Sequence, residues 1–200
     1  MKIKHAHHLN TCTNNRANWL KSPVNSGKFR SYLIDKGSLT RRLQLQSQQF
    51  AVTPLLLKRA KTSQDEATLL ALKPQQHALQ RDVLLVANGV PVVFAHSVLP
   101  KKSLRGAWRG LGRLGAKPLG AILFANPKVQ RMPLTYKKLS SHHRLYQRIL
   151  RYYLSHHQIH SQLQLGQALW ARRSVFSLRY SNLGHAKILV TEIFLPALLK

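Results

Sequence analysis

A chain of 200 residues with 44% hydrophobic side chains is long enough to bury a core of its own and is not a disordered tail. Its 32 lysines and arginines face five acids, a formal charge of +27 that gathers anions at the surface without saying which. Cys12 is the one cysteine, which excludes an intramolecular disulfide and a cysteine-rich zinc site, and the carboxylates are limited to Asp35, Asp65, Glu66, Asp82 and Glu192.

The opening MKIKHAHHLNTCTNN lacks the apolar stretch of a secretory signal, and no run approaches the roughly 20 apolar residues of a membrane span. A cytoplasmic location is the expectation. Residues 1–25 read as a loosely ordered basic arm, and residues 26–200 as a single domain. Phe29, Leu33 and Ile34 fall at helical spacing; Gly37 ends that turn, and Ser38 caps a second short helix that starts at Leu39 and Leu43. Phe50-Ala-Val-Thr is extended, with Pro54 arguing against a central strand. Ser63-Gln-Asp-Glu has acids in the first turn of a helix.

Two hairpins follow. Asp82–Ala87 and Val90–Leu99 flank Asn88-Gly89, the dipeptide preferred by two-residue turns. Ser174–Tyr180 and Lys187–Leu195 form the second. Between them lie a helix near residues 103–114 and a basic helical insertion over about 136–163. In that insertion Leu139, Tyr146, Ile149, Leu150 and Tyr153 form an apolar stripe, while Lys137, Arg144, Arg148 and Arg151 occupy another face. Hairpins mixed with helices predict an α+β domain on an antiparallel sheet.

Gly110-Leu-Gly112-Arg-Leu-Gly115 spells the G-x-G-x-x-G of a dinucleotide turn, but the context fails. No strand runs into the first glycine, Pro118 stands where a helix should be under way, and residues 128–136 hold no acid for a ribose. These glycines end a helix and shape a loop. His156 and His160 have the i, i+4 spacing of metal ligands, and His5, His7 and His8 cluster, yet no acid or thiol accompanies either group; a solvated face is the better reading, and no metal is expected. There is no G-x-S-x-G turn, and the three aspartates have no obvious histidine partner for a nucleophilic triad. The basic stripe with Tyr146, Tyr152 and Tyr153 could meet lipid or stack bases, but an ordinary amphipathic helix is the plainer reading, and no nucleic-acid motif accompanies it.

Alternation in the last strand aligns Ile188, Val190, Glu192 and Phe194, embedding one carboxylate in an apolar row. Such a group has its pKa raised or requires a partner. Three readings stay open: a solvent-facing edge residue, a structural pair with an arginine, or a functional site. Arg81 shares a face with Val83 and Leu85 and suits a carboxylate clasp through parallel hydrogen bonds. Together the two describe a pocket for a ligand acidic at one end and hydroxylated at the other.

Four stretches resemble the chorismate pyruvate-lyase family: Arg81-Asp-Val-Leu-Leu with its N-G-x-P hairpin, Leu114-Gly-Ala-Lys-Pro-Leu-Gly, Leu169-Trp-Ala-Arg-Arg-Ser and Thr191-Glu-Ile-Phe-Leu-Pro-Ala. They occur in order over most of residues 80–200, with weaker similarity back to about residue 26. The resemblance implies helical flaps over a buried ligand pocket and cofactor-free conversion of chorismate to 4-hydroxybenzoate and pyruvate, an early step of ubiquinone biosynthesis. A monomer is the separate expectation. It implies that Arg81 and the backbone of Leu119 hold the ring carboxylate, that Glu192 meets the ring hydroxyl, and that Leu39, where the family usually has methionine, contributes from a flap. Arg81 and Glu192 are then the catalytic candidates, and the Arg172-Arg173 pair is a candidate for the pyruvyl carboxylate. His96 stands where the family often has arginine, and the segment at 136–163 looks longer than usual; a peripheral contact with anionic membrane is one use for it. The rival class is a non-catalytic small-acid sensor of the same fold, which normally follows a DNA-binding module that no segment ahead of this sheet resembles.

Overall fold

The structure, a computed structural model, describes residues 18–105, 108–155, 165–179 and 185–199. Its frame is one seven-stranded antiparallel sheet in the order β1-β2-β3-β7-β6-β4, with β5 also pairing β6. The strands are β1 (Phe50–Lys61), β2 (His77–Ala87), β3 (Val90–Leu99), β4 (Val129–Arg131), β5 (Thr135–Ser140), β6 (Ala168–Arg179) and β7 (His185–Phe194). The N-terminal half of β6 carries β5 and its far half carries β4.

Local chemistry explains the frame. Asn88 and Gly89 both take positive φ, 50° and 77°, as a two-residue turn between right-twisted strands requires. Pro54 sits on the edge strand β1, where a missing N–H can face outward, and the β1–β2 register slips between Pro54 and Leu56. Ser38 accepts a hydrogen bond from Arg41 N at the start of α2 (Leu39–Gln46), which follows the short α1 (Arg30–Leu33). Glu66 reaches back to the Ser63 N–H at 2.9 Å to start α3 (Gln64–Leu70).

Three expectations change. The helix near 103–114 is a short α4 (Lys101–Arg105) and a separate 3-10 turn (Arg109–Arg113), with Gly115 in the left-handed region at φ 52°. Residues 136–163 are not one helix: β5 takes their start, α6 (Arg144–Ser155) follows, and His156 and His160 lie outside the described residues, as do His5, His7 and His8. The loosely ordered arm expected over residues 1–25 does not extend through its last residues, because Leu20 pairs with Tyr136 through two backbone hydrogen bonds. Sequence also missed α5 (Leu119–Ala125), which begins directly after Pro118.

Alternation splits the core by sheet face. On the front, one cluster joins Leu33, Leu39 and Leu43 to Val83, Leu85, Val93 and Phe194. A second front cluster joins Leu111, Leu114, Leu119 and Leu123 to Phe176 and Ile188. On the rear, α6 places Leu145, Tyr146, Ile149 and Tyr153 on Leu84, Phe94 and Ile193. Tyr146 and Tyr153 are therefore core residues and offer no stacking platform for bases. Among the described residues no helix is long and apolar enough to cross a membrane.

Candidate active site

The two front clusters do not meet, and a pocket opens in the seam between them. Leu39, Val52, Val83, Leu85 and Ala95 close it on one side, and Leu119, Leu123, Phe176 and Val190 on the other. α2 and α5 cover it as flaps, contributing Thr40 and Gly120 beside Leu39 and Leu119. A Cβ on Gly120 would stand 3.3 Å from Thr40 Oγ1, so the glycine lets the flaps close on each other. The polar lining is sparse: Arg81 from β2, Ser97 from β3 and Glu192 from β7. All four residues expected from the sequence, Leu39, Arg81, Leu119 and Glu192, line this one pocket.

Register sets the spacing of the two charges. Arg81 faces Ser97 across β2–β3, while Glu192 faces Ala95 across β3–β7. Two strand spacings and two residues along the sheet put their Cα atoms on the order of 12 Å apart.

Arg81 is 4% exposed, and burial pushes its guanidinium below the ordinary arginine value. Its Nη2 donates to the carbonyls of Gly115 and Lys117 at 2.9 and 3.0 Å, which fixes the loop leading into Pro118 and Leu119. No carboxylate lies within salt-bridge distance of it among the described residues, whereas every carboxylate side chain of the chain is already paired. Asp35 pairs with Arg42, Asp65 with Arg173, Glu66 and Asp82 with His96, and Glu192 with Arg172. A buried cation without an acid is costly unless an anion joins it. An anion at the Arg81 end of the pocket would offset that cost.

Of the three readings of Glu192, the solvent-facing edge is excluded, since β7 lies between β3 and β6. The partner it requires is Arg172, directly across in β6, whose Nε donates to Glu192 Oε2 at 2.5 Å. Arg131 Nη2 stands 3.9 Å from the same oxygen. Arg173 points the other way, as neighbours in a strand must: it bonds Asp65 at 2.6 Å and lies 4.0 Å over the Trp19 ring, so it cannot serve a ligand in this pocket. Arg131 and Thr40 were missed altogether. For Arg172 the signal was present, as a charge in a strand otherwise written Leu-Trp-Ala-Arg-Arg-Ser-Val-Phe.

The rear face holds the other charges, and here the missing histidine partner is found. His96 Nδ1 lies 2.6 Å from Asp82 and Nε2 3.1 Å from Glu66. Burial opposes the imidazolium, but the two carboxylates outweigh it and raise the His96 pKa. Both ring nitrogens are held by acids, so the ring has no free nitrogen to serve as a base for a nucleophile. Arg148 of α6 also bonds Asp82, at 3.0 Å, and Tyr152 reaches it at 3.3 Å. One residue of the supposed solvent-facing basic stripe therefore pins its helix to the sheet. Among the described residues no group of three His, Cys, Asp or Glu side chains is arranged to hold a metal ion.

Fold and pocket together define a class: a single-sheet α+β domain that encloses a largely apolar pocket, with one buried arginine and one glutamate, between one sheet face and two helical flaps. The family model for chorismate lyase matches residues 9–200. A "Probable chorismate pyruvate-lyase" of Methylobacillus flagellatus is 50% identical over 185 residues, 92% of this chain and 96% of that protein. One of the same description from Nitrosomonas europaea is 44% identical over 182 residues, 90% of this chain and 94% of that one. The chain belongs to the chorismate lyase family. Among solved structures, the effector domain of PhnF from Mycobacterium smegmatis shares the fold at a TM-score of 0.54 and 13% identity, covering 80% of this chain and 90% of that one.

Proposed function

We propose that this protein is a cofactor-independent lyase that converts chorismate to 4-hydroxybenzoate and pyruvate, early in ubiquinone biosynthesis. The observation that carries the reading is Arg81, a buried cation with no acidic partner among the described residues, which lines the same pocket as Glu192. In this reading Arg81 and the Leu119 backbone hold the ring carboxylate, Glu192 takes the ring hydroxyl, and Leu39 closes the flap. The C3–O bond breaks, C4 gives up its hydrogen, and the departing enolpyruvyl group gains a proton to become pyruvate. Aromatisation of the ring drives the step, so the protein's task is to hold the reacting conformer and exclude water. The +27 charge favours capture of a dianionic substrate.

The same reading takes the enzyme to be a cytoplasmic monomer with no nucleic-acid partner. It assigns exposed Arg144 and Arg151 of α6 to a peripheral contact with anionic membrane, which vesicle sedimentation tests: no dependence on anionic lipid rejects the contact. Purified protein mixed with chorismate should release 4-hydroxybenzoate and pyruvate in equal amounts. Binding of 4-hydroxybenzoate without turnover of chorismate would instead support the sensor reading, whose only footing is the shared fold.

A further inference from the structure

Two arginines join the pocket's glutamate to the base of its flap. Arg172 is fully buried, and besides its bond to Glu192 its Nη1 donates to the carbonyls of Tyr32 and Asp35, both at 2.6 Å. Arg131 stands beside the same carboxylate and donates through Nη1 to the carbonyls of Lys36 and Gly37, at 3.0 and 3.3 Å. Residues 32–37 close α1 and form the turn that leads into α2, which carries Leu39 and Thr40 over the pocket. Asp35 ties that turn to α2 itself, bonding Arg42 at 3.2 Å and the Gly37 N–H at 2.8 Å.

These contacts run in one line: carboxylate, guanidinium, backbone turn, flap helix. A guanidinium is planar and offers donors in a fixed fork, so Arg172 cannot swing away from the turn and keep its bond to Glu192. Its Nη2 is buried without a hydrogen-bond partner among the described residues, and its guanidinium carbon sits 5.7 Å from the Phe194 ring. An orphaned buried donor is a cost that folding alone gives no reason to keep.

We propose that Arg172 is a positioning residue that couples the orientation of the Glu192 carboxylate to the seating of the α2 flap, with Arg131 as the second strut. Opening the flap then disturbs the glutamate, and a seated flap fixes it. This rests on the reading that Glu192 meets the ligand, and the test separates the two.

Arg172→Lys keeps the charge but loses the fork. Its turnover of chorismate should fall about 10- to 100-fold, mainly in kcat, the scale expected when a reacting group is misplaced by about 1 Å. Introduced into Glu192→Gln, the same change should cost less than about threefold, because an effect transmitted through a carboxylate disappears with it. Full additivity of the two losses, or unchanged turnover in Arg172→Lys, overturns the proposal. Hydrogen exchange gives a readout that needs no Arg172 variant to fold. In Glu192→Gln the amides of residues 36–46 should exchange at least tenfold faster than in the unsubstituted protein, while those of α6 stay unchanged. Lost turnover with unaltered flap exchange sinks the coupling alone. Unaltered turnover in Glu192→Gln sinks the placement of Glu192 on the ligand, and the coupling with it.

Discussion

Replacing Arg81 with methionine separates a ligand clasp from a structural strut, because a clasp predicts lost affinity with little change in stability and a strut predicts the reverse. The substitution removes two charge-assisted hydrogen bonds, to the carbonyls of Gly115 and Lys117, each worth about 1.5–3 kcal/mol. It also removes a guanidinium that is 4% exposed and has no acid partner, a burden of several kcal/mol. These terms offset, so the ligand-free variant should unfold within about 2 kcal/mol of the parent, a Tm change of less than about 8 °C for a chain of this length. Ligand affinity has no such compensation. Truncating one member of a buried charge pair costs about 2–5 kcal/mol, a loss of roughly 30- to 5,000-fold in affinity for 4-hydroxybenzoate. Titration calorimetry with 4-hydroxybenzoate reads the second quantity and thermal unfolding the first. A variant that is destabilised by more than about 3 kcal/mol and still binds the product with parental affinity would refute the reasoning and make Arg81 a prop for the loop.

The rear-face network should behave in the reverse manner. Asp82→Asn leaves His96 and Arg148 without their shared buried carboxylate, which should cost about 3–5 kcal/mol and lower Tm by roughly 6–20 °C. Turnover of chorismate measured well below that Tm should stay within about threefold of the parent, and a larger loss would place the network in the chemistry. Acid titration tests the same cluster. Burial raises the Glu66 pKa, but the hydrogen bond from His96 and the Ser63 N–H bring it down to about 2; for Asp65, burial is outweighed by Ser63 and Arg173, again to about 2. Groups so depressed contribute stability that is whole above their ordinary values, near 4.5 and 3.8, and is lost as pH falls toward 2. Urea unfolding between pH 5 and pH 2 should therefore show a steeper loss in the parent than in Glu66→Gln, and equal slopes would refute the assignment. Gly120→Val should part the flaps by crowding Thr40 and weaken 4-hydroxybenzoate binding at least tenfold; unchanged affinity would show that the flaps do not meet at this point.

Several features were legible without a structure because their causes are local. Asn88-Gly89 demands a turn that few other dipeptides accept, Pro54 cannot sit in a central strand, Ser38 accepts from an open N–H of the helix it precedes, and the Ser63 N–H is met by Glu66 three residues on. Alternation along two strands put Arg81 among apolar side chains on β2 and Glu192 in the apolar row of β7, and both face the pocket. The segment at 136–163 was misread for an equally physical reason. Tyr136 and Leu139 are three residues apart, a helical spacing; in β5 they bury on opposite faces of the sheet, which only pairing with β6 makes possible.

By itself the amino-acid sequence determined the hairpin turn, the helix starts, the faces of Arg81 and Glu192, and a charge that requires anions nearby. The tertiary structure decided which cation each acid keeps. With 32 lysines and arginines and five acids, almost any pairing is permitted by composition. Cross-strand register chose Arg172 for Glu192, and helix packing brought Arg148 to Asp82. Those choices are made by residues far apart in the chain and adjacent only after the sheet has formed, and they are what leave Arg81 without an acid.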